Sequence, residues 1–147
     1  MRSRVAKFFA LTSADRWLLI RAALTAIAAK LAVNAMRLPP ARRAIKLIQI
    51  PRCSASPERI VWAVEATGHV MPFLRNCLVQ AVAAEAMMIR AGHRCDLRIG
   101  AAKKGDEFLA HAWIERDGKI LLGQFEAELY HPMAASIAGS DAVSTIS

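Results

Sequence analysis

The sequence predicts an α+β protein in which a helical amino-terminal half precedes a small antiparallel sheet. Two observations carry this. Up to residue 91 apolar positions recur at helical spacing between proline and glycine breaks, whereas from residue 95 they alternate and end in an Asp117-Gly118 hairpin signal. No internal repeat is visible.

Thr12 or Ser13 is placed to cap a first helix over residues 14–36, with Asp15 in its first turn where the helix dipole favours negative charge. Pro39 and Pro40 end it, and a short basic helix follows over residues 41–47. Pro51 and the Cys-Ser-Ala-Ser-Pro stretch break the chain again. Pro57 suits the first turn of a helix over residues 58–67, in which Ile60, Val61 and Val64 share a face and Gly68 supplies the stop. Residues 69–76 form a loop. Asn76 caps a strongly helical run over residues 77–91, with Gly92 as its C-cap. Cys95, Asp96, Leu97, Arg98 and Ile99 alternate as a strand; Lys103 to Asp106 is a solvated turn; residues 108–115 form a second strand. The Asp-Gly turn returns residues 119–123 as a third, antiparallel strand.

A chain of 147 residues that is 55% apolar can bury a sizeable core. The simplest organisation is a helical extension over residues 1–50, a core over 51–133 and a small, polar, flexible tail over 134–147. The net charge of +8 points to an anionic partner without identifying it. Three cysteines at wide spacing do not make a disulfide framework or a zinc pattern, and the reducing cytoplasm is the expected compartment. Residues 8–11 are too short for the apolar part of a signal peptide. The run over residues 17–36 approaches a membrane span, but Arg21 and Lys30 interrupt it on opposite sides of a helix. A helix packed on the body, with its basic stems along apolar surface, fits better; a peripheral membrane contact stays open.

Cys77 and His111 carry the chemistry. The first helical position offers unpaired amides and the dipole, which favour a thiolate, and an imidazole on a neighbouring strand offers a base. Leu109, His111, Trp113 and Glu115 share one side of their strand, so the ring faces the helix start if that side packs there. The competing reading is a buried cysteine acting as a small hydrophobe and a structural histidine.

The segments Asn76-Cys77-Leu78-Val79-Gln80-Ala81, Ala91-Gly92-His93, Leu97-Arg98-Ile99-Gly100 and Ala110-His111-Ala112-Trp113-Ile114-Glu115, with Asp117-Gly118, resemble the core of the lasso-peptide biosynthesis B proteins, which belong to the transglutaminase-like cysteine proteases. Ala14-Asp15-Arg16-Trp17-Leu18-Leu19 resembles that family's helical extension. The resemblance implies a transglutaminase-like, papain-like core and a peptidase that removes the leader of a ribosomally made precursor peptide. It further implies a separate leader-recognition protein, a macrolactam-forming cyclase downstream, and no metal or organic cofactor. With nothing ahead of the extension to hold a recognition domain, the chain resembles the stand-alone peptidase half. Cys77 is then the nucleophile, its amide an oxyanion donor, and His111 the general base and acid.

The family's third residue is an Asp on the strand beside the histidine. A three-residue loop here puts Gly123 opposite His111, and a two-residue turn puts Gln124 there. Gln124 is a candidate orienting residue, through its amide oxygen, and a Cys-His dyad without a third residue stays open. Asp117 reads as a turn former, and Glu126 is a further candidate. Gln80 is equally a cleft residue or a solvated one, His93 reads as a helix-terminal cation, and His69 precedes the site without a stated geometry. Cys53 and Cys95 read as packing thiols, and Trp113 as core or cleft wall. Arg37, Arg42, Arg43 and Lys46 form either a docking surface for an acidic peptide or an ordinary solvated face. Two other functions stay in view: transfer of the acyl group to an amine, and a non-catalytic basic protein that binds peptides or membrane surfaces. Nucleic acid is not an expected partner, because the basic residues are not interleaved with stacking aromatics.

Overall fold

The computed structural model describes residues 2–36, 38–47, 52, 54–123 and 131–132. Among these residues five helices precede the sheet: α1 (Arg2–Ala10), α2 (Ser13–Ala35), α3 (Leu38–Leu47), α4 (Pro57–Val70) and α5 (Cys77–Arg90), with a 3-10 turn at Pro72–Leu74. The strands are β1 (Asp96–Lys104), β2 (Glu107–Arg116), β3 (Lys119–Leu122) and β4 (His131–Pro132), in the order β3-β2-β1-β4, every pair antiparallel. The expected α+β class is what the chain adopts.

α5 is the central helix. Val79, Val82, Met87 and Met88 and the alanines between them are buried, and the helix touches α2, α3, α4, β1 and β2. Small residues make that crowding possible. α2 turns Leu18, Ala22, Thr25, Ala26 and Ala29 inward, so alanine meets alanine and the two helix axes can approach closely. The outer side of α2 is apolar too; the helix is long and apolar enough to cross a membrane by length and composition, although only 28% of its most apolar window is buried. From the sheet, Leu97, Ala112, Ile114 and Leu122 join the same core.

Caps follow the sequence closely. The Thr12 side chain accepts from the Asp15 amide, Ser56 from Arg59, and Asn76 from Leu78 and Val79. Gly92, at φ +83°, closes α5 with the His93 amide donating to the Met88 carbonyl at 2.9 Å. The β2–β3 turn has positive φ at both Asp117 and Gly118, as a two-residue type I′ hairpin requires.

Several details depart from expectation, the fourth strand β4 among them. α1 was not anticipated as a helix. α3 starts at Leu38 and takes both prolines into its first turn, where their missing amides have no intrahelical partner to lose. α4 runs through Gly68 to Val70, and the glycine lies against α5: a Cβ there would come within 2.1 Å of Gln80 Nε2. Finally, β1 extends to Lys104 and pairs with β2 over nine positions, closing at Gly105-Asp106.

A buried ion pair ties α3 to α5. The Arg42 guanidinium grips the Glu85 carboxylate through both Nε, at 2.9 Å from Oε2, and a terminal nitrogen on Oε1, and Lys46 Nζ lies 3.8 Å from the same carboxylate. Arg42 and Glu85 are 5% and 3% exposed, so Arg42 is not part of a docking surface. A guanidinium at the helix interface had to find a carboxylate, and Glu85 is the one α5 supplies. Arg43 is exposed, while Arg37 and the tail over residues 134–147 lie outside the described residues.

Candidate active site

Cys77 occupies the first position of α5, as its spacing from Asn76 implied. The Asn76 side-chain oxygen accepts from the amides of Leu78, at 2.9 Å, and Val79, at 3.4 Å. This cap takes the second and third amides of the helix and not that of Cys77, whose N–H stays at the helix mouth beside its own sulfur. The thiol is partly exposed and packs against the edge of the core.

His111 lies in β2, which α5 contacts. It is only 7% exposed, and its ring stacks on Trp113 with centroids 6.2 Å apart and planes 18° apart. That stacking bears out the reading that the two share one side of their strand. The side facing the helices is the other one: Ala112 and Ile114 join the helical core, and strict alternation sends His111 and Trp113 to the opposite side. The condition attached to the sequence reading, that the histidine side packs on the helices, is therefore not met for the body of α5.

One group that holds the ring is a main-chain carbonyl. His111 Nε2 lies 3.2 Å from the oxygen of Gly123. A carbonyl oxygen only accepts, so in this contact Nε2 carries a proton and donates it. The register explains why glycine stands there. β2 and β3 pair Arg116 with Lys119 and Glu115 with Ile120, but Ile114 with Leu122, so Leu121 is an extra residue in a bulge. The two-residue turn is present, yet the bulge displaces everything beyond it. Gly123 consequently arrives beside the Trp113–His111 pair with φ +86°, and a Cβ on it would lie 3.0 Å from both His111 Nε2 and Trp113 Cβ. A side chain at this position, aspartate included, would be crowded and would need a strained positive φ.

Gln124, the candidate orienting residue, lies outside the described residues, as do Glu126 and Cys53. Asp117 sits at the exposed hairpin tip and pairs with Arg116. Gln80 rests its amide against Gly68. His69 Nδ1 bonds the Glu65 carbonyl one turn back in α4, and His93 Nε2 bonds the Ala55 carbonyl, each at 2.8 Å, so both are held in structural contacts. Cys95 differs sharply from a nucleophile: burial, reinforced by the negative charges of Glu85 and Asp96, pushes its thiol up to about 12. Trp113, 2% exposed, buries an indole N–H that has no hydrogen-bond partner among the described residues. Among the described residues, no group of three or more His, Cys, Asp or Glu side chains is placed to hold a metal ion.

Sequence reasoning missed two elements of this arrangement. The Gly123 carbonyl could not be anticipated because the Leu121 bulge leaves no mark in the alternation. The Arg42–Glu85 pair was hidden because a basic helix reads as a solvated one.

Comparison with known families places the arrangement in context. The profile described as the transglutaminase-like superfamily matches residues 10–135, which takes in α2 to β4. No curated protein and no solved structure matches the chain.

Proposed function

The chain belongs to the transglutaminase-like superfamily, and from that premise we propose that it is a cysteine peptidase that removes the leader from a ribosomally made lasso-peptide precursor. Members of the superfamily are typically cysteine-dependent enzymes, proteases or acyltransferases. The observation that carries the reading is Cys77 at the first position of a capped helix that contacts β2, the strand bearing His111; since the body of α5 packs on the Ala112–Ile114 side of β2, the mechanism requires thiol and ring to meet at the open end of the helix.

In this mechanism Sγ of Cys77 attacks the scissile carbonyl carbon, and His111 takes the thiol proton on Nδ1. The Nε2–H bond to Gly123 supports that role, because it keeps the second nitrogen basic and fixes the ring plane. Negative charge on the substrate oxygen meets the Cys77 amide at the helix mouth. The imidazolium returns its proton to the departing amine, which leaves the carboxyl-terminal fragment and a thioester. Water, deprotonated by His111, then attacks the thioester, releasing the leader as a carboxylic acid and restoring the thiol. The freed amine is the group a macrolactam-forming cyclase consumes next. A separate leader-recognition protein presents the precursor.

Wild type and Cys77→Ala are incubated with a lasso-precursor peptide and the recognition protein, and products are weighed by mass spectrometry. Two peptides whose masses sum to precursor plus water, formed only with the thiol present, are expected. A conjugate with an added amine would make the enzyme an acyltransferase, and equal cleavage by both proteins would remove Cys77 as nucleophile.

A further inference from the structure

The outer face of α2 carries Trp17, Ile20, Leu24 and Leu31 at 62%, 41%, 60% and 66% exposure, a spacing that lines them along one side of the helix. Over 14 residues this stripe is about 21 Å long. Phe9 of α1, 66% exposed, widens it, for Phe8 and Phe9 line one recess together with Trp17 and Ile20. Of the three cations in α2, Arg21 and Lys30 do not interrupt it. Arg21 turns back to the Arg52 carbonyl at 3.3 Å, and Lys30 turns back to the carbonyl and ring of Phe73. Cations instead stand at the rim, Arg16 beside the same recess and Lys7 beside the adjoining apolar groove.

We infer that this face docks on an anionic lipid surface, with α2 lying in the plane of the interface. Charge complementarity selects the partner. The chain carries +8, and no acidic residue lies between Asp15 and Glu58, so the whole stretch that bears the stripe is basic or neutral. Asp15 itself is paired with Arg59. An apolar stripe with an exposed tryptophan and phenylalanine, bordered by cations, meets the acyl boundary and the headgroups of such a surface together. The inner face of α2 stays in the core, so docking leaves the helical layer and the Cys77 helix intact.

The test is flotation of the full chain with vesicles of phosphatidylcholine alone and of phosphatidylcholine mixed with phosphatidylglycerol. Wild type is expected to float with the mixed vesicles, poorly with neutral ones, and less in high salt. The triple variant Trp17→Gln/Leu24→Gln/Leu31→Gln is expected to lose partition by about tenfold or more. The single variant Leu24→Glu, at an exposed position, repeats the test should the triple variant not fold. Iodoacetamide labelling of Cys77 in either folded variant is expected at the wild-type rate. No flotation of wild type, equal flotation with both vesicle types, or undiminished flotation of the variants would overturn the inference. So would a wild-type dimer in solution that the same substitutions dissolve, since a second copy would then cover the stripe.

Discussion

His111 is held by Gly123: the ring nitrogen Nε2 is 3.2 Å from the glycine carbonyl, and a side chain at 123 would begin 3.0 Å from that same nitrogen. The glycine thus supplies an acceptor for the ring and the space in which the ring sits.

Gly123→Ala is expected to fail on both counts. The φ of +86° costs a side chain about 1–2 kcal/mol, and its Cβ meets Trp113 Cβ and the Ala112 carbonyl, which are not free to swing aside. Thermal melting should fall, and the proposed peptidase activity should fall with it. Gly68→Ala is the contrast, because there the obstacle is the mobile end of Gln80 and the helix gains up to about 1 kcal/mol in propensity. Its melting temperature should hold or rise.

Breaking the Arg42–Glu85 pair from one side should be severe. Glu85→Ala leaves a guanidinium buried between α3 and α5, at a cost of about 3–5 kcal/mol in urea unfolding. The double variant Arg42→Met/Glu85→Leu should recover most of that loss, because no buried charge remains. Equal destabilisation of the two proteins would mean that packing, and not loss of the Glu85 carboxylate from the guanidinium, sets the cost.

Cys95 makes a prediction with a definite pH window. Its thiol stands near 12 in the folded protein against 9.0 in the unfolded chain, so folding favours the protonated form. The stabilisation is complete below pH 9 and is lost as pH climbs towards 12. Iodoacetamide at pH 8 should therefore label Cys77 and spare Cys95 until the protein is unfolded, as peptide mapping would show.

Much of this molecule is legible in its residues. Thr12, Pro57 and Asn76 announce helix starts, Gly92 a helix end and Asp117-Gly118 a hairpin, because each acts through its own backbone or the next few residues. The features that stayed hidden depend on distant partners. Gly68 reads as a stop until Gln80 is seen against it, and Arg42 reads as surface until Glu85 closes on it. The histidine's acceptor was sought among side chains, but a one-residue bulge at Leu121 delivered a carbonyl instead. The side of β2 that packs on α5 was open in the sequence, since residues 111–114 are all apolar or weakly polar; the structure chose Ala112 and Ile114.

The coupling of Cys77 to His111 is the claim on which the proposed chemistry rests. It is tested most directly by the second-order rate of iodoacetamide labelling at Cys77, measured at pH 7 in wild type and in His111→Asn with folding verified by thermal melts. The rate is expected to fall by about tenfold or more when the imidazole is removed. Identical rates in two folded proteins would show that the ring does not activate the thiol, and would contradict the peptidase mechanism.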